Sequence, residues 1–242
     1  MNLNVMKTLA GFKDNDKSNE LALMEYLNIK KDDIVKAKWT SNLYCPAYVI
    51  ALDHVTNNIV VSVRGTMSVQ DVITDINNVN IDFADGRVHG GINRAAKNVY
   101  NDIIETLRNL MVDDRYKNYG FRFVGHSLGA AVVSVITHII FDEYSSIISK
   151  TKTYCYGCPP IFSENIAEKW SSNIITIVNN KDVIPRLCVG EQLYLPGIIL
   201  QYVKSSRTFI GRNKEYFVAD NVISSSLSEH LPNRYAEVTQ KF

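Results

Sequence analysis

The sequence has no long apolar run. A bilayer-spanning helix needs ~20 mostly apolar residues, and the longest candidate, residues 130–141, is interrupted by Ser134, Thr137 and His138. No transmembrane segment is therefore expected. No leader is expected either: residues 1–12 are too short and too polar for a secretory signal, and a charged stretch follows at once. An excess of one charge is also missing. With 26 basic against 25 acidic residues and a net charge of +1, nothing marks nucleic acid as a partner. Cysteines are few: Cys45, Cys155, Cys158 and Cys188. Without a leader they read as reduced thiols in a reducing compartment, hence a cytoplasmic protein. Cys155-Tyr156-Gly157-Cys158 has C-x-x-C spacing, but no second pair completes a zinc site. A redox pair would normally open a helix, and Pro159-Pro160 follows here instead. These are read as structural thiols, with no metal. Repeats, low-complexity tracts and Pro/Gly/Ser linkers are absent, and 242 residues suit one domain. The expected organisation is a single domain over 1–242, with 1–40 a helical lead-in.

What is present alternates between two periods. Residues 18–39 carry Leu21, Met24 and Leu27 at helical spacing among charges, and read as the lead-in helix. Residues 44–52 and 59–63 are β-branched and apolar, joined by a polar turn at 53–58, and read as a hairpin. Ile92, Ala95, Ala96, Val99, Ile103, Leu107 and Leu110 form one apolar stripe, so 92–111 reads as an amphipathic helix. Then come a strand at 121–124, a buried helix at 127–141, a strand at 151–156, a short helix at 163–169 and a strand at 174–178. This order argues for an α/β fold, a mostly parallel central sheet with helices on both faces. Beyond it, 194–203 and 215–218 read as strands and 229–238 as a closing helix.

The chemistry concentrates in Gly125-His126-Ser127-Leu128-Gly129, a G-x-S-x-G match between a strand ending at Val124 and a helix starting after Ser127. That context is a nucleophile elbow. The alternative is a Gly-bounded turn with an incidental serine. A serine hydroxyl is a poor nucleophile unaided and needs a base oriented by a third group. Of His54, His89, His126, His138 and His230, only His230 follows any plausible acid in the order Ser, acid, His. For the acid, Asp182 follows the strand 174–178, at a carboxyl end where such sites gather. Asp142 sits on the nucleophile's own helix, and Asp220 lies in an irregular stretch. The oxyanion needs the backbone N–H of Leu128 plus a donor from an earlier loop. Arg64-Gly65-Thr66 and His89-Gly90-Gly91 both qualify on residue chemistry.

Several stretches, in order, resemble the class 3 (fungal-type) lipases, and more closely their intracellular sn-1 diacylglycerol lipase branch. They are residues 60–68 (Val-Val-Ser-Val-Arg-Gly-Thr-Met-Ser), Asp71-Val72-Ile73-Thr74-Asp75, Val88-His89-Gly90-Gly91, the elbow, Pro159-Pro160 and Lys181-Asp182-Val183-Ile184-Pro185-Arg186. The resemblance covers roughly 44–235 and implies an α/β-hydrolase fold. It implies Thr66 as the second oxyanion residue, His89-Gly90-Gly91 as scaffold, Asp182 as acid and His230 as base. Three departures stand out. Glu229-His230 replaces the usual Asp-His, and Gly157-Cys158-Pro159 replaces Gly-Ser-Pro. The regulatory insert and membrane spans of animal diacylglycerol lipases are missing from this sequence.

Family lids lie just after the oxyanion strand. Here Met67, Val69, Val72, Ile73 and Ile76 give 67–78 the pattern of a short amphipathic helix, either a lid or an ordinary packed helix. The apolar stretch 193–200 reads as a flank of an acyl groove or as a buried strand. The expected activity is hydrolysis of di- or triacylglycerol at a lipid–water interface, on membranes or lipid droplets, without a cofactor. The rival within enzymes is a soluble carboxylesterase or phospholipase A1. The rival outside them is an inert lipase-fold binding protein, against which the intact Ser, Asp and His stand.

Overall fold

The structure is a computed structural model and describes residues 16–65, 80–179, 182 and 184–186. The chain divides into two compact units, 1–177 and 178–242. In the first unit, α1 (Asp16–Leu27) precedes β1 (Ile34–Lys38), β2 (Tyr48–Asp53) and β3 (Asn58–Val63). A ribbon follows, β4 (Asn80–Phe83) and β5 (Gly86–His89), then α2 (Gly90–Val112). Next come β6 (Gly120–His126), α3 (Leu128–Glu143), β7 (Thr151–Tyr156), α4 (Glu164–Lys169) and β8 (Ile174–Ile177). The described part of the second unit includes a 3-10 turn, Ile184–Arg186.

Six strands make one sheet in the order β1-β2-β3-β6-β7-β8. β1, β2 and β3 pair antiparallel, and β3, β6, β7 and β8 pair parallel. The hairpin expected at 44–63 is β2–β3, with Asp53 opposite Asn58. Its turn is fixed by Asp53, whose Oδ1 accepts from the Val55 and Thr56 N–H groups. The Thr56 hydroxyl also donates to this carboxylate, and that bond leads the effects holding it below the usual carboxylate range.

α2 presents its apolar stripe inward, and Val99, Ile103 and Leu107 are fully buried. Burial of that kind is worth roughly 1.5–3 kcal/mol per side chain. α3 is buried nearly all round, from Gly129 to Phe141, and packs on β3, β6, β7 and α2. An all-round apolar helix has to lie inside the domain.

The lead-in helix is shorter than its sequence pattern. α1 stops at Leu27, because Asn28 takes φ 52 and the Ile29 N–H reaches back to Met24 O at 3.2 Å. This left-handed cap closes a helix. Residues 34–38 are then strand rather than helix. Their β-branched Ile34 and Val35 suit a pleated surface, and β2 offers them a ladder. The β4–β5 ribbon is a further addition. Its Val88 bridges to Phe162, and the His89 N–H donates to Ile161 O at 2.9 Å, which fastens it to the segment after β7.

Candidate active site

β6 buries Phe121, Phe123 and Gly125 along one face and ends at His126. α3 begins at Leu128. The chain reverses within one residue, Ser127, at φ 53 and ψ −121. That backbone region disfavours a side chain and costs on the order of 1–3 kcal/mol. Three segments over-determine it. The Ser127 N–H donates to Tyr156 O at 2.8 Å, at the end of β7. Ser127 O accepts from the Ala131 N–H at 3.1 Å, which starts α3. From the side of β3, a Cβ on Gly129 would lie 2.2 Å from Val63 O, and one on Gly65 would lie 2.4 Å from His126 O. Only glycine permits backbones this close.

Ser127 is 4% exposed. It stands at the N-terminus of a 16-residue helix. The first N–H groups of a helix lack partners within it, and the macrodipole is positive there. Negative charge developing on a group bonded to Ser127 would meet Leu128 N–H and that field.

The two loops that could supply a second donor are placed differently. Gly65 lies against the elbow, as above. His89 is 1% exposed and caps α2: its Nδ1 accepts from the Ile92 N–H at 3.2 Å, while its own N–H goes to Ile161 O. Thr66 itself, the lid residues Met67, Val69, Val72, Ile73 and Ile76, the stretch 193–200 and His230 lie outside the described residues. So do the expected elements at 194–203, 215–218 and 229–238.

In the second unit, Asp182 is half-buried. Its N–H donates to Asn179 O at 2.9 Å, and its Oδ1 accepts from the Ile184 N–H at 3.0 Å. This is an Asx turn opening onto the 3-10 turn, so the carboxylate has a fixed direction.

The other described histidines have separate surroundings. His54 lies in the β2–β3 turn, at the opposite end of the sheet, with Tyr119 and Asp33 as partners. His126 is exposed in the elbow. His138 is 1% exposed on α3, with its ring 4.7 Å from that of Phe162 and 6.0 Å from that of Phe83. Burial pulls its pKa down to about 4. Cys155 is fully buried, and its thiol points at Ala130 O in the first turn of α3, 3.5 Å away. Contact with Cys155, then burial, pushes the Cys158 thiol well above its ordinary value. A Cys158 thiol held protonated in this way suits packing better than metal ligation. Among the described residues no three His, Cys, Asp or Glu side chains converge as a metal site requires.

Residues 60–191 match the class 3 lipase family. The chain belongs to that family. Among curated relatives, mouse diacylglycerol lipase-beta is 25% identical over 189 residues, covering 75% of this chain and 28% of its own length. The secreted mono- and diacylglycerol lipase A of Penicillium cyclopium is 31% identical over 144 residues, covering 57% of this chain and 45% of its own. The chain thus spans little more than a quarter of the mouse relative. Among solved structures, a lipase from Rhizopus microsporus var. chinensis superposes with a TM-score of 0.61 at 22% identity, covering 76% of this chain and 64% of that one. The fold is accordingly of the α/β-hydrolase type. The close approach of Gly65 to the His126 carbonyl and the β4–β5 ribbon are the features that pattern reading passes over. The ribbon had a signal, since Asp85-Gly86 stands between alternating residues.

Proposed function

We propose that the chain is a serine ester hydrolase cleaving di- or triacylglycerol through an acyl-enzyme. The observation that carries this is Ser127, held at φ 53 and ψ −121 between β6 and α3. Family membership and the names of the relatives, which are lipases of mono- and diacylglycerol, support it. Ser127 Oγ attacks the ester carbonyl while His230 takes its proton, and Asp182 holds His230 in the right tautomer. Leu128 and Thr66 bind the oxyanion. The alcohol leaves with the proton from His230. Water, deprotonated by His230, then releases the fatty acid. No cofactor enters. The close approach of Gly65 to His126 favours the Thr66 loop over His89, whose N–H is committed to Ile161 O.

In this reading 1–242 acts as one hydrolase domain, and 67–78 is its lid. The protein is cytoplasmic and works at the surface of membranes or lipid droplets. Free thiols at Cys45, Cys155 and Cys158 suit a reducing compartment. Among the described residues no helix is long and apolar enough to cross a membrane.

The test is Ser127→Ala, assayed on p-nitrophenyl esters of graded chain length and on mono-, di- and triacylglycerol emulsions. Loss of one triad member costs on the order of 10⁴–10⁶ in kcat. Activity above about a tenth of wild type would overturn the assignment. In parallel, Asp182→Asn should lose far more than Asp220→Asn. Preference for short soluble esters would make the enzyme a carboxylesterase, and preference for phospholipid a phospholipase A1.

A further inference from the structure

Ser127 lies at the end of the sheet where the parallel strands finish. The β1–β2 connection reaches the same end, because Lys38 pairs with Tyr48 and Tyr48 with Val63. The first turns of α2 are there too. Asn98 Nδ2 donates to Tyr44 O at 2.8 Å, and the Arg94 guanidinium stands 4.6 Å from the centre of the Tyr44 ring.

The connection ends in a tight, braced tip. Asn42 and Cys45 exchange backbone hydrogen bonds of 2.9 Å, which leaves Leu43 and Tyr44 in the two central positions. The Ala47 N–H donates to Ser41 Oγ at 3.0 Å below them. Tyr44 takes φ 52, a turn position that favours Gly or Asn. Backbone strain is thus accepted to place two apolar residues at a tip. Leu43 is 83% exposed, and the half-buried Trp39 and Tyr44 flank it.

Cations surround this tip. Arg94 and Lys97 are exposed on α2, Arg64 follows β3, and Lys38 ends β1 with its Nζ 2.8 Å from Cys45 Sγ. Among the described residues of the segments 34–52, 54–65 and 86–101 there is no Asp or Glu, and the neighbouring carboxylate, Asp102, accepts from the Tyr48 hydroxyl at 2.7 Å and pairs with Lys36 at 3.0 Å. In a chain of net charge +1 that is a local segregation. An apolar tip, interfacial aromatics and a cationic collar are what an anionic bilayer surface binds.

We propose that the β1–β2 tip docks the protein on anionic phospholipid membrane. Leu43 enters the acyl layer, Trp39 and Tyr44 lie at headgroup level, and Lys38, Arg94 and Lys97 meet the phosphates. The site end of the sheet is thereby turned toward its lipid. This rests on the lipid-ester reading above, but its test is separable.

The full chain is sedimented with phosphatidylcholine vesicles, with and without phosphatidylserine. Binding should require phosphatidylserine and weaken with salt. Leu43→Ser and Lys97→Glu should each lower partitioning on the order of tenfold. Val55→Ser removes a still more exposed apolar side chain at the far end of the sheet, in the β2–β3 turn, and should leave binding unchanged. Thermal unfolding of each variant checks its fold. The proposal is overturned if the wild type ignores both vesicles, if Leu43→Ser and Lys97→Glu pellet like wild type, or if Val55→Ser loses as much. Turnover of a soluble ester by the same preparation scores hydrolysis separately. An active enzyme that ignores vesicles sinks docking alone, and an inactive one that binds them sinks hydrolysis alone.

Discussion

Two glycines that look alike in the sequence carry different burdens. A methyl at Gly65 would meet the His126 carbonyl oxygen at 2.4 Å, inside the elbow and against rigid backbone. A methyl at Gly86 would meet the Ser163 hydroxyl at 2.3 Å, in the ribbon and away from the elbow. Gly65→Ala should push the donor loop off the nucleophile. A fall in kcat on the order of 10²-fold on a soluble ester, with little change in KM, is the expected result. Gly86→Ala should lower the melting temperature and leave kcat near wild type. Equal kcat for the two variants would remove Gly65 from the catalytic geometry. Neither burden is visible in the sequence. A close approach of backbones is a property of the pair, and Gly65 meets a residue 61 positions away. Ser127 was legible because its elbow is local, with strand, turn and helix all inside residues 120–131. For Asp182 the sequence offers a position after a strand, and the structure adds the Asx turn to Ile184.

Helix α3 joins the elbow at one end to an aromatic cluster further along, where His138, Phe83 and Phe162 pack against one another. Burial is the main cause of its depressed pKa, and Asp142, Lys169 and Asp85 are the charges that act on it. The folded protein keeps this ring neutral down to about pH 4, whereas the unfolded chain protonates it near 6.5. The unfolded state therefore binds the proton first as pH falls. Stability is whole above about pH 6.5 and is lost progressively down to about pH 4, by up to roughly 3 kcal/mol. His138→Phe should flatten the melting temperature against pH across that window. An unchanged slope in the variant would assign the acid sensitivity to other groups. The elements themselves were legible where they carry their own period, as α2, α3 and the β2–β3 hairpin do. β1 was not, because its strand character comes from pairing with β2. A run of Lys and Asp around Ile34 and Val35 fits helix equally well until Asn28 closes α1.

For the whole molecule, the proposed lid and the proposed docking tip make different demands on kinetics. A lid built from Met67, Val69, Val72, Ile73 and Ile76 would cover the site in water and open on lipid. Two or three side chains of that size, worth roughly 1.5–3 kcal/mol each, bias such an equilibrium strongly. Rate should then jump as an ester passes its solubility limit, and Ile73→Asp should blunt the jump while sparing a short soluble ester. Smooth saturation across the limit would leave a permanently open groove. The elbow has a consequence of a different kind. Its serine is held by the ends of β3, β6 and β7, which meet only through the crossovers that contain α2 and α3. Parallel pairing over such loops forms late, since closure entropy must be overcome before the contacts form. The site therefore has no half-built state. A chain that has not yet delivered Tyr156 lacks the acceptor that holds the Ser127 N–H at 2.8 Å, so the elbow is complete only once β7 has joined the sheet.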